Sequence, residues 1–315
     1  MLNRYVSPRN DTVFRKLFGT EDNKDVLIRF LNTILELKDD KAIEDVDFMN
    51  PWQAPRIDGA KQSIVDVLVK DKRDVRYIVE MQVCHTADFT KRAQYYTAKT
   101  YVDQMKAGHG YRGLNSVFFI AIADHILFPD KEAYKSLHLM CDQSTGEHDL
   151  KDFRFTFIEL PKFKKGLQEL TTVEDQWLYF LKHAEEVSDM PPTVDDSALQ
   201  KAYHAIESMG WSEHELAAYE DSMLAVYDEQ SRRDWAEQQL QKGKEEGLQQ
   251  GLQQGLQHGL QQGRKEGREE GREEGGKVKA IEIAKTMLVK QLPIETIMEC
   301  TGLNQIEIEE IKSSI

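Results

Sequence analysis

The amino-acid sequence predicts an α/β fold: a mixed, largely central sheet flanked by helices and followed by an all-helical C-terminal extension. Amphipathic helical segments alternate with short β-rich runs through the first 185 or so residues, which is the pattern of layered α/β domains. One run, SVFFIAIA, is apolar throughout and has the length of a strand buried on both faces. Beyond the prolines at 191 and 192 the chain becomes polar and helical, which predicts the extension.

Two helices and a β-hairpin are predicted in the N-terminal part of the chain. Apolar residues recur at helical spacing in two groups, from Val13 to Phe18 and from Val26 to Leu35, and Gly19 separates the groups. Three β-rich runs follow, EDVDFMN, SIVDVLVK and RYIVEMQV. Because the short charged turn KDKRD joins the last two runs, we expect them to pair as a hairpin.

The middle of the chain predicts a helical crossover between two strands. A helical pattern runs from Asp88 towards the glycines at 108 and 110, and the buried strand SVFFIAIA follows it. A strand, a helix and a returning strand form a crossover connection. A further strand, FRFTFIEL, and a helix around Trp177 then complete a first domain, which is predicted to span residues 1–190.

Three segments are predicted after this domain: a helical region over 191–242, a glycine repeat over 243–276 and a small helical module over 277–315. The helical region begins with a capping-box pattern from Ser212 to Glu215. The final module is predicted to contain three short helices. Since the last of these helices is acidic, the module is expected to serve packing or a partner protein rather than DNA recognition.

Glycine occupies every fourth position from Gly243 to Gly275. In a helix each glycine costs about 0.8–1.0 kcal/mol relative to alanine, so an isolated helix does not explain the array. Two interpretations remain open. The stripe is either a self-association helix, in which neighbouring leucines and small residues let two backbones pack closely, or a flexible linker. The leucines beside the glycines are Leu248, Leu252, Leu256 and Leu260.

Charge and composition exclude several classes of protein. A net charge of −14 argues against coating of nucleic acid through a generally basic surface, so any DNA contact is expected to be local. No apolar stretch reaches the roughly 18 residues that span a bilayer, and no signal sequence is evident, which predicts a cytoplasmic protein without membrane contact. The three cysteines are widely spaced and predict neither a disulfide framework nor a zinc site.

Three polar residues in the predicted hairpin form the candidate catalytic site. Asp66 lies in a run otherwise typical of a buried strand, where an unpaired carboxylate is costly, so it requires a partner. The period of two places Glu80 and Gln82 on one face of the next strand. Because the hairpin joins the strands, Asp66 and Glu80 are expected to hold one hard cation such as Mg²⁺. In the purely structural alternative, Asp66 forms a buried salt bridge and Glu80 lies on an exposed face.

The wider chain resembles a known nuclease family. The arrangement D-x13-E-x-Q, with a helix before and after it, resembles the core of PD-(D/E)XK nucleases, whose strands present an aspartate and then an acid-x-lysine pair. Several longer phrases are similar to the Rpn family of recombination-promoting nucleases and putative transposases, and they cover most of residues 8–185 before the glycine-rich tail. These phrases are, in order, NDTVFRKLFG, RFLNTILEL, IVDVLV, RYIVEMQ, DFTKRAQYY and WLYFL.

The resemblance implies a restriction-endonuclease-like fold and metal-dependent hydrolysis of DNA phosphodiester bonds. It assigns the metal to Asp66, Glu80 and the main-chain carbonyl of Met81, with Mg²⁺ as the ion and Mn²⁺ as the alternative. Gln82 stands where the superfamily has lysine. Its neutral amide can orient water and donate to a phosphate oxygen, but it supplies no positive charge. Because Rpn proteins tend to carry glutamine at this position, Gln82 is interpreted as a variant of the catalytic set.

Three further residues are additional candidates. Asp11 matches an acidic position of the family; it either contacts the metal through water or complements the dipole of the first helix. Arg92 and Gln94 lie nearest the catalytic strand by sequence, in a helix whose basic residues are interleaved with tyrosines. They are either phosphate contacts or solvated residues of a half-buried helix.

The leading functional prediction is therefore a metal-dependent DNA endonuclease that serves recombination, mobile-element movement or defence. One competing prediction is a DNA-binding protein that keeps the nuclease fold but has lost turnover because Gln82 replaces lysine. Another is an oligomeric scaffold driven by the tail. DNA is the expected partner, and the C-terminal region is expected to form a homo-oligomer, with a dimer favoured.

Overall fold

Two compact units make up the chain, Met1–Arg233 and Asp234–Ile315. Among the helices of the described residues, none is both long and apolar enough to cross a membrane. The segment boundaries predicted after residues 190, 242 and 276 stay predictions. The computed structural model describes residues 3–53, 63–84, 86, 88–105, 108 and 110–314.

The N-terminal helices follow the predicted periodicity. Asn10 caps the first helix, since its side chain accepts a hydrogen bond from the Thr12 amide at 2.9 Å. The helix that starts after Asp88 ends at Val102, earlier than predicted, and a helix that begins at Ser197 lies inside the helical region predicted over 191–242. The helices of the first unit are α1 (Asp11–Phe18), α2 (Lys24–Ile34), α3 (Phe89–Val102), α4 (Val173–His183), α5 (Ser197–Ala205) and the start of α6 (Glu213–Val289).

A mixed six-stranded sheet forms the centre of the first unit, which confirms the predicted α/β fold. The strands of the unit are β1 (Val46–Phe48), β2 (Trp52–Gln53), β3 (Ser63–Ile64), β4 (Val67–Asp71), β5 (Arg76–Gln82), β6 (Val117–Ala123), β7 (Lys135–Met140) and β8 (Leu150–Glu159). The strand order of the sheet is β1-β4-β5-β6-β8-β7, with β5, β6 and β8 parallel and the other neighbours antiparallel. The separate pair β2-β3 is antiparallel.

The strand β7 was not predicted. It lies at the edge of the sheet, and none of its residues is fully buried, so it lacks the strong apolar pattern that marks the central strands. The predicted hairpin is present as β4 and β5, and the predicted crossover runs from β5 through α3 to the parallel strand β6. These elements place the candidate residues at the carboxyl end of β5.

The two faces of the sheet pack against separate apolar clusters. The larger cluster contains Tyr77, Val79 and Met81 of β5 together with the buried faces of α1, α2, α4 and α5. The smaller cluster contains Ile78 and, from α3, Phe89. Because side chains alternate along a strand, the even-numbered residues of β5 face the α3 side of the sheet.

The second unit consists of one long helical segment and two short helices. The glycine repeat lies inside α6, so it is helical, and the first of the three predicted terminal helices is the end of α6 rather than a separate helix. The other two are α7 (Ile294–Thr301) and α8 (Gln305–Ser313), and Gly302 ends α7 with φ of 71°. They pack with the end of α6 around Ala284, Ile297, Leu303, Ile308 and Ile311.

Candidate active site

The candidate site lies where β4 begins and β5 ends. Val67 pairs with Val79, so the preceding residue, Asp66, comes beside Glu80 as the hairpin prediction requires. Asp66 itself lies in a bend between β3 and β4, not within a strand as predicted. The reason is visible in its side chain, since Oδ2 accepts a hydrogen bond of 2.9 Å from the Met81 amide. The carboxylate of Asp66 thus accepts the hydrogen bond that a main-chain carbonyl of the neighbouring strand would accept in a regular strand pair.

Asp66 is nearly covered and is paired with a cation. Its side chain is 8% exposed, and Oδ1 accepts hydrogen bonds from Arg15 Nη2 at 3.0 Å and Arg15 Nε at 3.3 Å. The guanidinium of Arg15 is half-exposed, so it can leave this carboxylate at a smaller cost than a buried cation. The salt bridge of the structural alternative therefore exists, although its cation faces solvent.

Glu80 is buried and incompletely satisfied, contrary to the exposed position of that structural alternative. Its residue exposure is 8%, and no described residue gives its Oε1 atom a hydrogen bond. Burial, followed by the neighbouring negative charge of Asp66, raises the pKa of Glu80 well above its ordinary value, although the cations Arg92 and Arg15 act in the opposite direction. A carboxyl group buried in this way requires a proton or a cation.

Gln82 is held between a cation and a main-chain carbonyl. Arg92 donates a hydrogen bond from Nη2 to Oε1 of Gln82, and Nε2 of Gln82 donates to the Cys84 carbonyl at 2.5 Å. The Arg92 guanidinium also lies 5.3 Å from the ring centroid of Phe89, and its Nε is buried without a partner among the described residues. Positive charge therefore stands next to the amide that replaces the lysine of the superfamily.

Asp11 lies at the first position of α1 and contributes a third carboxylate to this region. The capping bond is made by Asn10, so Asp11 has no capping hydrogen bond of its own to make. Desolvation by the surrounding protein, followed by the charge of Asp66, raises the pKa of Asp11, and Arg15 opposes this increase. Asp11 thus stands at the N-terminus of α1, as the helix-dipole interpretation requires, and interacts electrostatically with Asp66, as the metal interpretation requires.

Gln94 is not brought to this cluster. It is exposed on α3, and its Nε2 donates to the Thr90 carbonyl at 3.1 Å. It lines a groove of about 580 Å³ together with Phe128, which precedes β7, and with side chains of β7, β8 and α3 that include Phe155. Because residues two apart on a helix point in nearly opposite directions, Gln94 and Arg92 face different sides of α3.

Sequence reasoning missed Arg15, and it included Tyr96 only among the tyrosines that are interleaved with basic residues in α3. Arg15 pairs with Asp66, and its signal was its position four residues after Asp11, on the same face of α1. Tyr96 lies four residues after Arg92 on α3. Burial raises the pKa of Tyr96, the charge of Arg92 lowers it, and the charges of Glu80 and Asp66 add to the increase, which places the ring near the carboxylates.

The donor set suits a hard divalent cation. Within the described ranges no three Asp, Glu, His or Cys side chains form a ready-made metal cage. Two carboxylates and a main-chain carbonyl are nevertheless oxygen ligands of the kind that Mg²⁺ and Mn²⁺ prefer, and Mg²⁺ retains several waters when so bound. The orphaned Oε1 of Glu80 beside Asp66 therefore fits such an ion.

The comparison with protein families covers the same part of the chain. A family model described as PD-(D/E)XK nuclease family transposase matches residues 8–236, which is well over half of the chain. The match includes all strands of the mixed sheet and every candidate residue described above. No curated protein and no solved structure matches the chain.

Proposed function

Because the chain belongs to the PD-(D/E)XK nuclease family transposases, whose chemistry is of the nuclease type, we propose that it is a metal-dependent DNA endonuclease. The observation that carries the proposal is the buried carboxylate of Glu80, whose Oε1 has no hydrogen-bond partner among the described residues and whose neighbour is Asp66. A buried carboxylate without a partner is costly, and a bound cation would offset that cost.

The metal-binding residues in this proposal are Asp66, Glu80 and the main-chain carbonyl of Met81, with Mg²⁺ as the ion and Mn²⁺ as its alternative. Asp11 is a candidate contact through water. When bound, the ion activates water and stabilises the charge that develops on the phosphate oxygens. In the metal-free protein Arg15 compensates the charge of Asp66, and it becomes available to a DNA phosphate once the cation takes over that role.

Hydrolysis adds the oxygen of one water to phosphorus and breaks the bond to one sugar oxygen, which leaves as a hydroxyl after taking up a proton. In this proposal Gln82 and Arg92 together take the role that lysine has in the superfamily. The amide of Gln82 orients water or donates to a phosphate oxygen, and Arg92, bonded to Gln82, supplies the positive charge. This pairing supports turnover over the alternative of a DNA-binding protein that has lost catalysis.

Nicking and linearisation of a plasmid by the full chain test the proposal. Wild type is compared with Asp66→Ala, Glu80→Ala and a matched control, Glu132→Ala, which removes an exposed carboxylate that makes no described ion pair. Cleavage in Mg²⁺ or Mn²⁺ that is lost in the two site variants and kept in the control is the expected result. Equal cleavage by all four proteins would instead identify a contaminating nuclease.

Calorimetric titration of Mg²⁺ and Mn²⁺ into the same proteins separates metal binding from turnover. We expect Glu80→Ala to lose binding while Glu132→Ala retains it. DNA binding without cleavage in either metal, on both duplex and single-stranded DNA, would favour the non-catalytic alternative. A role in recombination, mobile-element movement or defence is part of the proposal, and of these the transposase description of the family supports mobile-element movement.

A second proposed property is self-association through the glycine repeat of α6. The supporting observation is that the four leucines beside the glycines are between 53% and 76% exposed, although they form a regular apolar row. A dimer is the simplest assembly that covers such a row. Sedimentation velocity of the full chain and of a chain that lacks residues 241–276 tests this proposal. If both proteins form assemblies with the same number of chains, the repeat is not the interface.

A further inference from the structure

A cavity of about 370 Å³ lies in the first unit away from the carboxylates. It is lined by residues at the beginning of β5 and by neighbouring residues of β6 and β8, including Tyr77, Phe118 and Arg154. Glu80 and Gln82 lie at the other end of β5 and on the opposite face of the sheet. Since Arg76–Gln82 covers about 20 Å at 3.3 Å per residue, the two sites are separate.

The side chains around this cavity are strongly basic, although the chain carries a net charge of −14. Lys41, Arg73, Lys151 and Arg154 all line it, and we call it the basic cavity. Arg73 is neutralised by Asp71, at 2.6 Å. Within the described part of the chain, the other three cations form no salt bridge.

Two carboxylates that interact with cations of the basic cavity, Asp71 and Glu36, are already engaged in salt bridges. Asp71 accepts hydrogen bonds from Arg73 and from the Tyr77 hydroxyl, the latter at 3.1 Å. Glu36, whose pKa is lowered chiefly by its hydrogen bond with Lys135 and to a smaller extent by the charge of Arg154, lies 2.8 Å from Lys135. The salt bridges of these two carboxylates are thus made with Arg73 and Lys135, not with Lys41, Lys151 or Arg154.

Arg154 is positioned by an aromatic ring. Its guanidinium carbon lies 5.5 Å from the ring centroid of Phe118, and Phe118 in turn packs edge-on against Tyr77 with 5.5 Å between the ring centroids. Stacking of this kind limits the rotamers of arginine while its N–H groups remain available at the edge of the plane. A planar fork of donors is well suited to two oxygens of a phosphate group.

His148 adds a second observation that points to an anion-binding role. It lines the basic cavity, and its Nε2 atom is buried without a hydrogen-bond partner among the described residues. Because buried polar atoms are normally satisfied, this ring nitrogen beside three cations without salt bridges suits a ligand that carries acceptor oxygens. Phosphate oxygens meet both requirements, because they accept hydrogen bonds and carry negative charge.

We propose that the basic cavity binds phosphate groups of a polyphosphate ligand through Lys41, Lys151, Arg154 and His148. The phosphates belong either to the backbone of a DNA segment or to a free di- or triphosphate compound, which present the same chemistry. The site is independent of the proposed nuclease activity, because none of its residues belongs to the carboxylate site. It goes beyond that activity by giving the first unit a second anion-binding position on the opposite face of the sheet.

Isothermal titration of the full chain with inorganic pyrophosphate, in low salt with EDTA, tests the proposal. EDTA removes metal ions that would bind pyrophosphate at the carboxylates. The variants are Lys151→Gln, Arg154→Gln and their combination, beside Arg154→Lys, which keeps the charge but not the fork. Lys290→Gln is the charge-matched control, since Lys290 is exposed, lies in the second unit and forms no described salt bridge. Thermal melts verify that each variant is folded.

Wild type and Lys290→Gln are expected to bind one pyrophosphate with the same affinity. Each single glutamine variant should weaken binding about tenfold or more, as expected for loss of one charged hydrogen bond, and Arg154→Lys should recover part of the loss. Displacement of pyrophosphate by a DNA duplex would identify the DNA backbone as the source, and failure to displace it would identify a free phosphate compound.

Two results would overturn the proposal: absence of pyrophosphate binding by wild type, or unchanged affinity in the double variant. Titration of Glu80→Gln distinguishes this site from the nuclease site. Unchanged pyrophosphate binding in Glu80→Gln is the expected result, whether or not the protein cleaves DNA. Loss of binding in that variant would place the anion at the carboxylates and would refute the assignment.

Discussion

Phe30 and Leu252 are both large apolar side chains on α-helices, but their surroundings differ completely. Phe30, in the first unit, is fully buried, and its ring centroid lies 4.9 Å from that of Phe18 and 5.5 Å from that of Trp177. Leu252, in the second unit, is 76% exposed. The first unit thus gains its stability by burying apolar surface around a sheet, whereas the glycine-rich part of α6 has no such core within one chain.

The glycines of the repeat sharpen this contrast. A Cβ atom added at Gly251, Gly255 or Gly259 would meet nothing within 4 Å. Within one chain, therefore, no close contact requires these glycines, and each lowers helix stability. Packing within the first unit accounts for its apolar residues, whereas no described contact within one chain accounts for the glycines of the repeat, and the proposed self-association would supply one.

The largest expected effect is on the core of the first unit. Phe30→Ala should lower the free energy of unfolding by about 3–5 kcal/mol, because a buried aromatic side chain leaves a cavity among packed rings. Leu252→Ala should change it by less than about 0.5 kcal/mol in a monomer. Urea denaturation followed by tryptophan fluorescence measures both. If Leu252→Ala lowers the free energy of unfolding as much as Phe30→Ala does, Leu252 is buried in an assembly, and the two side chains do not differ as described.

The triple substitution of Gly251, Gly255 and Gly259 by alanine should stabilise α6 in the monomer. Three times about 0.8–1.0 kcal/mol gives about 2.4–3.0 kcal/mol. Thermal scans by circular dichroism at low protein concentration should show later loss of helix. At high concentration, sedimentation equilibrium should show weaker self-association, because methyl groups prevent close backbone packing. Unchanged association would argue against the glycine stripe as the contact.

Glu80→Gln should stabilise the metal-free first unit at neutral and alkaline pH by about 1–3 kcal/mol, the usual cost of an unsatisfied buried group. The folded-state pKa of Glu80 is raised, so folding retains a proton that the unfolded chain releases above about pH 4.3. The contribution of protonated Glu80 to the free energy of unfolding is therefore fully present below the unfolded-state pKa. It is lost as the pH rises through the raised pKa of the folded state.

Urea denaturation in EDTA across a pH series measures this effect, with Glu132→Gln as the exposed control. If the free energies of unfolding of wild type and Glu80→Gln differ by the same amount at every pH, the explanation by the raised pKa is wrong.

The same raised pKa predicts that metal binding by wild type strengthens as pH rises, with release of a proton, because the cation competes with the proton for the Glu80 carboxylate. Calorimetry in buffers of different ionisation enthalpy detects that proton.

The smallest expected effect concerns the start of α6, which is part of the first unit. Lys16 Nζ lies 2.5 Å from Glu215 and 4.1 Å from the ring centroid of Trp211. Hydrogen bonds, first from Lys16 and then from Ser212, lower the pKa of Glu215 to about 2. Because the pair is partly exposed, Glu215→Gln should cost less than about 1 kcal/mol at neutral pH.

This contribution is present above the ordinary pKa of glutamate and is lost as pH falls through about 2, since the folded-state pKa is lowered. Urea titrations monitored by tryptophan fluorescence at neutral and acidic pH should show that the free energy of unfolding of wild type exceeds that of Glu215→Gln by less as the pH falls. A difference that increases as the pH falls would contradict the ion-pair explanation. A glutamine keeps the capping-box geometry, so the substitution tests the charge alone.

Much of the fold could be predicted because it depends on local periodicity. The apolar spacing of α1 and α2, the hairpin of β4 and β5 and the shared face of Glu80 and Gln82 all follow from repeats of 3.6 and 2 residues. The position of β7 and the end of α3 could not be predicted in this way. An edge strand with a weak apolar pattern is defined by its pairing with β8 rather than by its own sequence.

The candidate site likewise has features that local sequence predicts and features that depend on tertiary packing. The sequence by itself predicted the oxygen donors proposed for the metal, the approach of Asp66 to Glu80 across the hairpin and the family of the chain, because strand period and hairpin connection are local properties. Only the tertiary structure decided that Arg15 binds Asp66, that Arg92 donates to Gln82, and that Gln94 faces away. These relationships depend on how α1 and α3 pack on the sheet, and packing brings together residues that no spacing along the chain can relate.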